Sequence, residues 1–290
     1  MGIKITSCMS EAADPFCREL AGYLTDQLGW EVVFVEDIPW QERLARLKEG
    51  ALDLGWICGV DYVKYTSWRA STIGRLAKQS PHTGTGDCFG AIAPRNDINI
   101  ELLAAPVMQG ERYQGKPVYF SDVIVRRDGS YQTFNDLRGA RWSYNEPGSF
   151  SGYLIMLHRL AQIGEEINFF GECIESGAHA ASIRMVMEGQ ADVAAIDSTA
   201  FDQTLRREPE VCAHVRVVEC LGPNPIPPWI VSRSLADGER NALKEVFLGM
   251  YDNPRGRAIL SNGLFDRFVP VEDSDYDPIR RVVSSSPGKS

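Results

Sequence analysis

The sequence predicts an α/β protein of two related lobes joined by two crossings of the chain, and three observations carry that prediction. The order β-α-β-α-β is written twice, over residues 1–60 and again over 140–196. The closing steps of the two runs are near copies, "LKEGALDLGWI" beside "VMEGQADVAAI". Two further segments, "KPVYFSDVIVRR" and "PNPIPPWIVSRS", stand where the chain would pass to the second lobe and return.

In the first run "IKIT" is a short strand. "DPFCRELAGYLTDQLG" is a helix, with Phe16, Leu20, Leu24 and Leu28 at helical spacing and Asp14 as its expected cap. "EVVFVE" is a strand, and "PWQERLARLKEG" is a helix with Pro39 in its first turn and Gly50 after its last. "LDLGWI" is apolar enough to be a buried strand. The second run reads "ARWSYN" as strand, Ser151 to Ile163 as helix, "INFF" as strand, "HAASIRMVMEG" as helix and "ADVAAI" as strand. In both runs a helix ends on Glu-Gly and an Asp opens the next strand, Gly50 with Asp53 and Gly189 with Asp192. Glycine is the commonest helix terminator, but that alone does not repeat five elements in order. Short crossovers imply right-handed parallel units, with ligand sites at the carboxyl ends of the strands. The helices from Asp237 to Ser261 then rejoin the first lobe. Lobe one is expected to comprise 1–121 with 230–290, and lobe two 122–229; two crossings make a hinged clamp with a cleft between its halves. The stretch Ser67 to Asn99 is least legible, with "SPHTGTGDC" read as a loop.

Composition narrows the function. The 290 residues carry a net charge of −9, which argues against nucleic acid, because phosphate contacts need clustered Lys and Arg. No apolar run approaches the ~20 residues that span a bilayer. The opening "MGIKITSCMS" has neither a basic nor an apolar signal region, so no signal peptide is expected. Seven scattered cysteines show no zinc spacing and suit a reducing compartment. "TGTGD" (83–87) lacks the Lys-Ser/Thr of a P-loop and reads as a loop. No cofactor or metal is expected.

The chemistry concentrates in "YNEPGSFSGYLI" (144–155). Ser149, Ser151 and the amides of Phe150 and Ser151 stand at a helix start just after a strand, where free N–H groups and the helix dipole favour an anion. A lone Ser149 would merely cap the helix; two hydroxyls among glycines point further, to a ligand. His179 opens the next helix at the same sheet edge and could donate to an oxyanion, with its protonated form favoured beside one. Asp197 ends a strand at that edge, as a helix cap or a ligand contact. Trp40, at the start of a helix, and Trp229, in the return crossing, are candidate cleft walls.

"YNEPGSFSGYLI", "ESGAHAASIRMVMEGQADVAAID" and "KPVYFSDVIVRRDGSYQTFNDLRG" together resemble the phosphonate-binding proteins of phosphate/phosphonate ABC transporters. The resemblance covers most of the chain and implies a type II periplasmic-binding-protein fold. In that family a Ser-Thr-Ser run holds the phosphonate oxygens; here it reads Ser149-Phe150-Ser151, with an aromatic in the middle. The family's histidine falls on His179, one cleft tyrosine on Tyr119 and a second on Trp40. Its amine-holding acids fall near Thr199 and Pro228, so an amino-phosphonate is disfavoured against phosphate, a phosphate ester, another small oxyanion or an aromatic-bearing acid. The resemblance implies a solute-binding protein that performs no chemistry, with ABC transporter membrane subunits as partners and a periplasmic or lipid-anchored location. Two other readings stay open: a cytoplasmic enzyme on the same fold, of the menaquinone or thiamine-pyrimidine kind, and a ligand-sensing subunit. Cys8 is the cysteine expected nearest the cleft.

Overall fold

A computed structural model describes residues 2–9, 13–67 and 99–285. The "SPHTGTGDC" loop lies outside the described residues. The first run is β1 (Gly2–Ser7), α1 (Asp14–Leu28), β2 (Glu31–Val35), α2 (Trp40–Glu49) and β3 (Leu54–Trp56), followed by a helix over 59–67, α3. Then come β4 (Ile100–Met108), β5 (Val118–Arg126), β6 (Arg141–Tyr144), α4 (Ile155–Gln162), β7 (Glu172–Glu175), α5 (His179–Met187) and β8 (Val193–Asp197). The chain continues through α6 (Ser198–Arg207), the single turn α7 (Val211–His214), β9 (Val215–Pro225), β10 (Trp229–Ser232), α8 (Asp237–Leu248), α9 (Pro254–Asn262), β11 (Phe265–Val269) and α10 (Asp277–Ser285).

The strands form two sheets, as the duplicated pattern predicts. One has the order β11-β4-β10-β3-β1-β2, the other β7-β6-β8-β5-β9. Within each, three parallel strands from one run stand side by side, β2-β1-β3 and β7-β6-β8. The next strand in each is antiparallel: β10 beside β3, β5 beside β8. Each is the strand that arrives by a crossing, so the two sheets share one plan and exchange one element.

The repeated Glu-Gly-x-x-Asp step has a physical role. Gly50 and Gly189 both adopt left-handed backbone, φ 76° and 73°, where a side chain is strained. Asp53 then reaches the neighbouring strand, its Oδ2 accepting from Lys4 N at 2.8 Å while its own N–H donates to Lys4 O at 2.9 Å. Asp192 does the same to Arg141, at 2.8 Å both ways. The aspartates fix the register of the last strand against the first.

Three expectations need correction. Asp14 is not the cap of α1 but its first helical residue, following Ala13; a carboxylate there still complements the helix dipole. "INFF" is not a strand: Ile167–Phe169 form a 3-10 turn, and the strand is Glu172–Glu175. Phe169 and Phe170 are buried, Phe169 stacking on Phe134 and Phe170 packing on Trp142, so their apolarity serves the floor of the lobe. The helix expected from Ser151 opens instead as a π-turn, Phe150–Leu154, before α4 begins at Ile155.

Aromatic clusters hold the lobes. Trp56 stacks on Trp229 at 5.8 Å, uniting β3 with the returning β10, and Phe16, Phe247 and Phe265 pack around them. Helices α8 and α9 pack on α1, so the C-terminal helices do rejoin the first lobe. Helix α10 goes further and lies against α4, the π-turn and β9.

Candidate functional site

The parallel strands of both sheets end at the helix starts that carry the candidate residues. In the second lobe, β6 delivers the chain to the π-turn. Ser149 caps it, its Oγ accepting from Gly152 N at 3.0 Å. Ser151 is buried, and its Oγ stands 3.2 Å from His179 Nε2, at the start of α5. Ser121, on β5, donates to Ser151 O at 2.5 Å and fastens the turn to the crossing strand. A π-turn widens the helix by one residue and is frequent at functional sites. Phe150 is buried with its ring 6.5 Å from that of Tyr119, so the aromatic in the middle of the run closes the floor of the turn.

Two polar atoms in this wall are buried without a partner, His179 Nδ1 and Asn145 Oδ1. Buried polar groups are nearly always satisfied; Trp142 Nε1, Glu219 Oε2 and Trp229 Nε1 are left in the same state elsewhere, so it is the neighbouring buried hydroxyls that make this pair a candidate. Asn145 is packed against Gly152: a Cβ there would fall 1.8 Å from its Oδ1, so only glycine lets the two meet. Burial lowers the pKa of His179 to about 4. Unliganded, the ring is therefore neutral, and the expected rise of its pKa beside an anion concerns the liganded state.

Asp197 ends β8 and caps α6, its Oδ1 accepting from Thr199 N at 2.8 Å and from Thr199 Oγ1 at 2.7 Å. Burial pushes its carboxyl up to about 6, against the pull of those bonds. Thr199 is thus engaged with Asp197.

The first lobe supplies the facing wall. Trp40 opens α2, half-buried against the core of that lobe. Cys8 follows β1, its N–H donating to Trp56 O at 2.8 Å, which sets it beside the end of β3. Cys58 precedes α3 and is half-buried. Burial pushes both thiols up to about 12, with Asp61 adding to the effect. Asp61 and, across from it, Glu146 also have raised carboxyl pKa values, chiefly through burial.

Cys58, Asp61, Asn145 and Glu146 are further candidates that sequence reasoning did not single out, and the repeat contains a signal for two of them. Trp40 and His179 each stand ten residues before the terminating glycine of their run, and Cys58 and Asp197 eight after it. Cys8 and Asn145 likewise stand four residues after Lys4 and Arg141. The walls are built at equivalent positions, polar in one lobe and soft or aromatic in the other. Trp229 lies elsewhere, fully buried beneath Trp56. Among the described residues no cluster of His, Cys, Asp and Glu could hold a metal ion, and no helix is long and apolar enough to cross a membrane.

The model of a family described as ABC transporter, phosphonate, periplasmic substrate-binding protein matches residues 10–276. The phosphonates-binding periplasmic protein of Escherichia coli (strain K12) is 24% identical over 173 residues. That match takes in 58% of this chain and 51% of the relative, so the aligned part spans about half the relative's length. Among solved structures, PhnD1 from Prochlorococcus marinus, in complex with methylphosphonate, superposes with a TM-score of 0.75 at 20% identity, covering 98% of this chain and 97% of that one. A binding protein component of an ABC phosphonate transporter from Pseudomonas aeruginosa gives 0.74 at 16%, covering 97% and 85%. Likenesses at these identities establish the two-lobed fold.

Proposed function

Because this chain belongs to the family of periplasmic phosphonate-binding proteins of ABC transporters, we propose that its cleft closes on a phosphonate or similarly small oxyanion and delivers it unchanged to membrane subunits of such a transporter. The observation that carries the reading is the buried pair Ser151 and His179 beside an unpartnered ring nitrogen. A neutral imidazole has one donor and one acceptor. When Nε2 accepts the hydroxyl proton of Ser151, Nδ1–H is left as a donor for a ligand oxygen. The π-turn amides and Ser149 complete the anion side, and Tyr119 and Asp197 border it. Trp40 faces the ligand's remainder from the first lobe. Phe150 supports the turn in place of a third hydroxyl. The lobes divide close to the expected bounds of 1–121 with 230–290 against 122–229, shifted a few residues so that β5 to β9, Val118 to Pro225, stay together in the second lobe and β10 belongs to the first.

The thiols argue against a cysteine nucleophile in this cleft. A nucleophilic cysteine needs a lowered pKa, and Cys8 and Cys58 are pushed the other way.

Calorimetry with methylphosphonate tests the proposal. Wild type should bind it with one site per chain and release it unaltered. Ser149→Ala, which removes a hydroxyl that accepts from Gly152 N and keeps its proton to donate, should weaken binding about tenfold to a hundredfold, the scale of one hydrogen bond to a charged group. Unchanged affinity in the variant would remove the anion site from this turn.

A further inference from the structure

The strongest feature outside the cleft is a set of bonds along α6. Its first turn is capped by Asp197 at the cleft wall. Its middle is held by Tyr113, on the connection between β4 and β5, whose hydroxyl bonds Asp202 at 2.5 Å and Ser198 at 3.2 Å. Its far end reaches the other lobe: Arg206 Nη1 donates to Ser261 O at 2.8 Å and Asn262 O at 3.4 Å. Those carbonyls end α9, at the negative pole of its dipole, and Ser261 O also accepts from Leu264 N at 3.1 Å. Asn262 is in turn bonded to Glu19 of α1 at 3.1 Å. Between the helices lies a crevice of ≈ 290 Å³ walled by Pro15, Phe16 and Glu19 on one side and Gln203 and Arg206 on the other. The lobes therefore meet here through polar ties over an unfilled gap, an arrangement that can part and re-form.

We propose that Arg206 is a latch for the closed cleft: a contact remote from the ligand that holds α6 of the second lobe against the end of α9 in the first. The ten residues of α6 form one rigid rod about 15 Å long. One end shapes the cleft wall and the other bears the latch, with Tyr113 steadying its middle. A movement that separates the walls at Asp197 is transmitted to Arg206. The latch thus contributes to closure without touching the ligand, and its loss shifts the lobes towards the open form.

The test compares Arg206→Ala and Arg206→Lys with wild type, and with Arg184→Ala as a control for the loss of one exposed charge on the same lobe. Two readouts are followed: the radius of gyration without ligand, by small-angle scattering, and the dissociation rate of methylphosphonate, by stopped flow. Arg206→Ala should enlarge the unliganded radius and speed dissociation roughly threefold to tenfold, the range of a single exposed charge at a helix terminus. Association should change little. Arg206→Lys, which keeps the charge and a donor nitrogen on a shorter, less directed head, should fall between, and Arg184→Ala should match wild type. Equal radii and equal dissociation rates in wild type and Arg206→Ala would overturn the latch. If wild type does not bind methylphosphonate, the ligand reading fails separately and the scattering comparison alone decides the latch.

Discussion

His179 and Asp197 are two buried titratable groups whose effects on stability oppose each other. Burial holds the His179 pKa at about 4, below its ordinary value of 6.5. As pH falls from 6.5 to 4 the unfolded chain takes up that proton and the native state does not, so stability is lost on acidification. Asp197 titrates near 6 in the fold against an ordinary 3.8. Over nearly the same window the native state takes up the proton first, so stability is gained on acidification. Each effect is worth roughly 3 kcal/mol at its full extent. Their contributions should nearly cancel in wild type. Chemical denaturation from pH 7 to 4 should therefore show His179→Gln becoming relatively more stable than wild type as pH falls. Asp197→Asn, which keeps an oxygen to cap α6, should become relatively less stable. Variants that run parallel to wild type would show that neither group has the burial assigned to it.

At the level of elements, the two register-fixing aspartates predict unequal costs. Asp53 holds one backbone N–H in an exposed setting, so Asp53→Ala should cost about 1 kcal/mol. Asp192 holds the Arg141 N–H and also receives that guanidinium at 3.0 Å and 2.9 Å. Asp192→Ala should cost about 2–3 kcal/mol, because charge-assisted bonds are lost together; equal costs in urea titrations would refute the asymmetry. These steps were legible because a helix end, a left-handed glycine and an Asp at fixed spacing have local chemical signatures. β7 was not legible. It is a mostly exposed edge strand, Glu172 to Glu175, with little apolar side chain to declare it, whereas the apolar "INFF" beside it has the composition of a strand and the position of a plug. The π-turn was equally hidden: Asn145 lodges against Gly152, a contact across seven residues that no local pattern announces. The hydroxyls and His179 could be picked out one by one, but the neutrality of the ring follows from burial, which no local pattern records.

On the scale of the whole molecule, closure should bring the first lobe's Trp40 against whatever the second lobe holds. Saturating methylphosphonate should change tryptophan emission, and Trp40→Phe should remove most of that change; an undiminished signal in the variant would place the moving contact elsewhere. The strand order has a further consequence for how the protein comes into being. β10 sits between β3 and β4 in the middle of the first sheet, yet it is made after the whole of the second sheet, which occupies one unbroken stretch from Val118 to Pro225. During vectorial synthesis the lobe begun first is thus finished last: β1 to β4 wait without their central partner while the other lobe can already fold. A nascent chain arrested with residue 225 clear of the ribosome should resist protease across 118–225 and be cut freely before it. The late arrival of one four-residue strand then sets how long the first lobe's apolar edges need shielding.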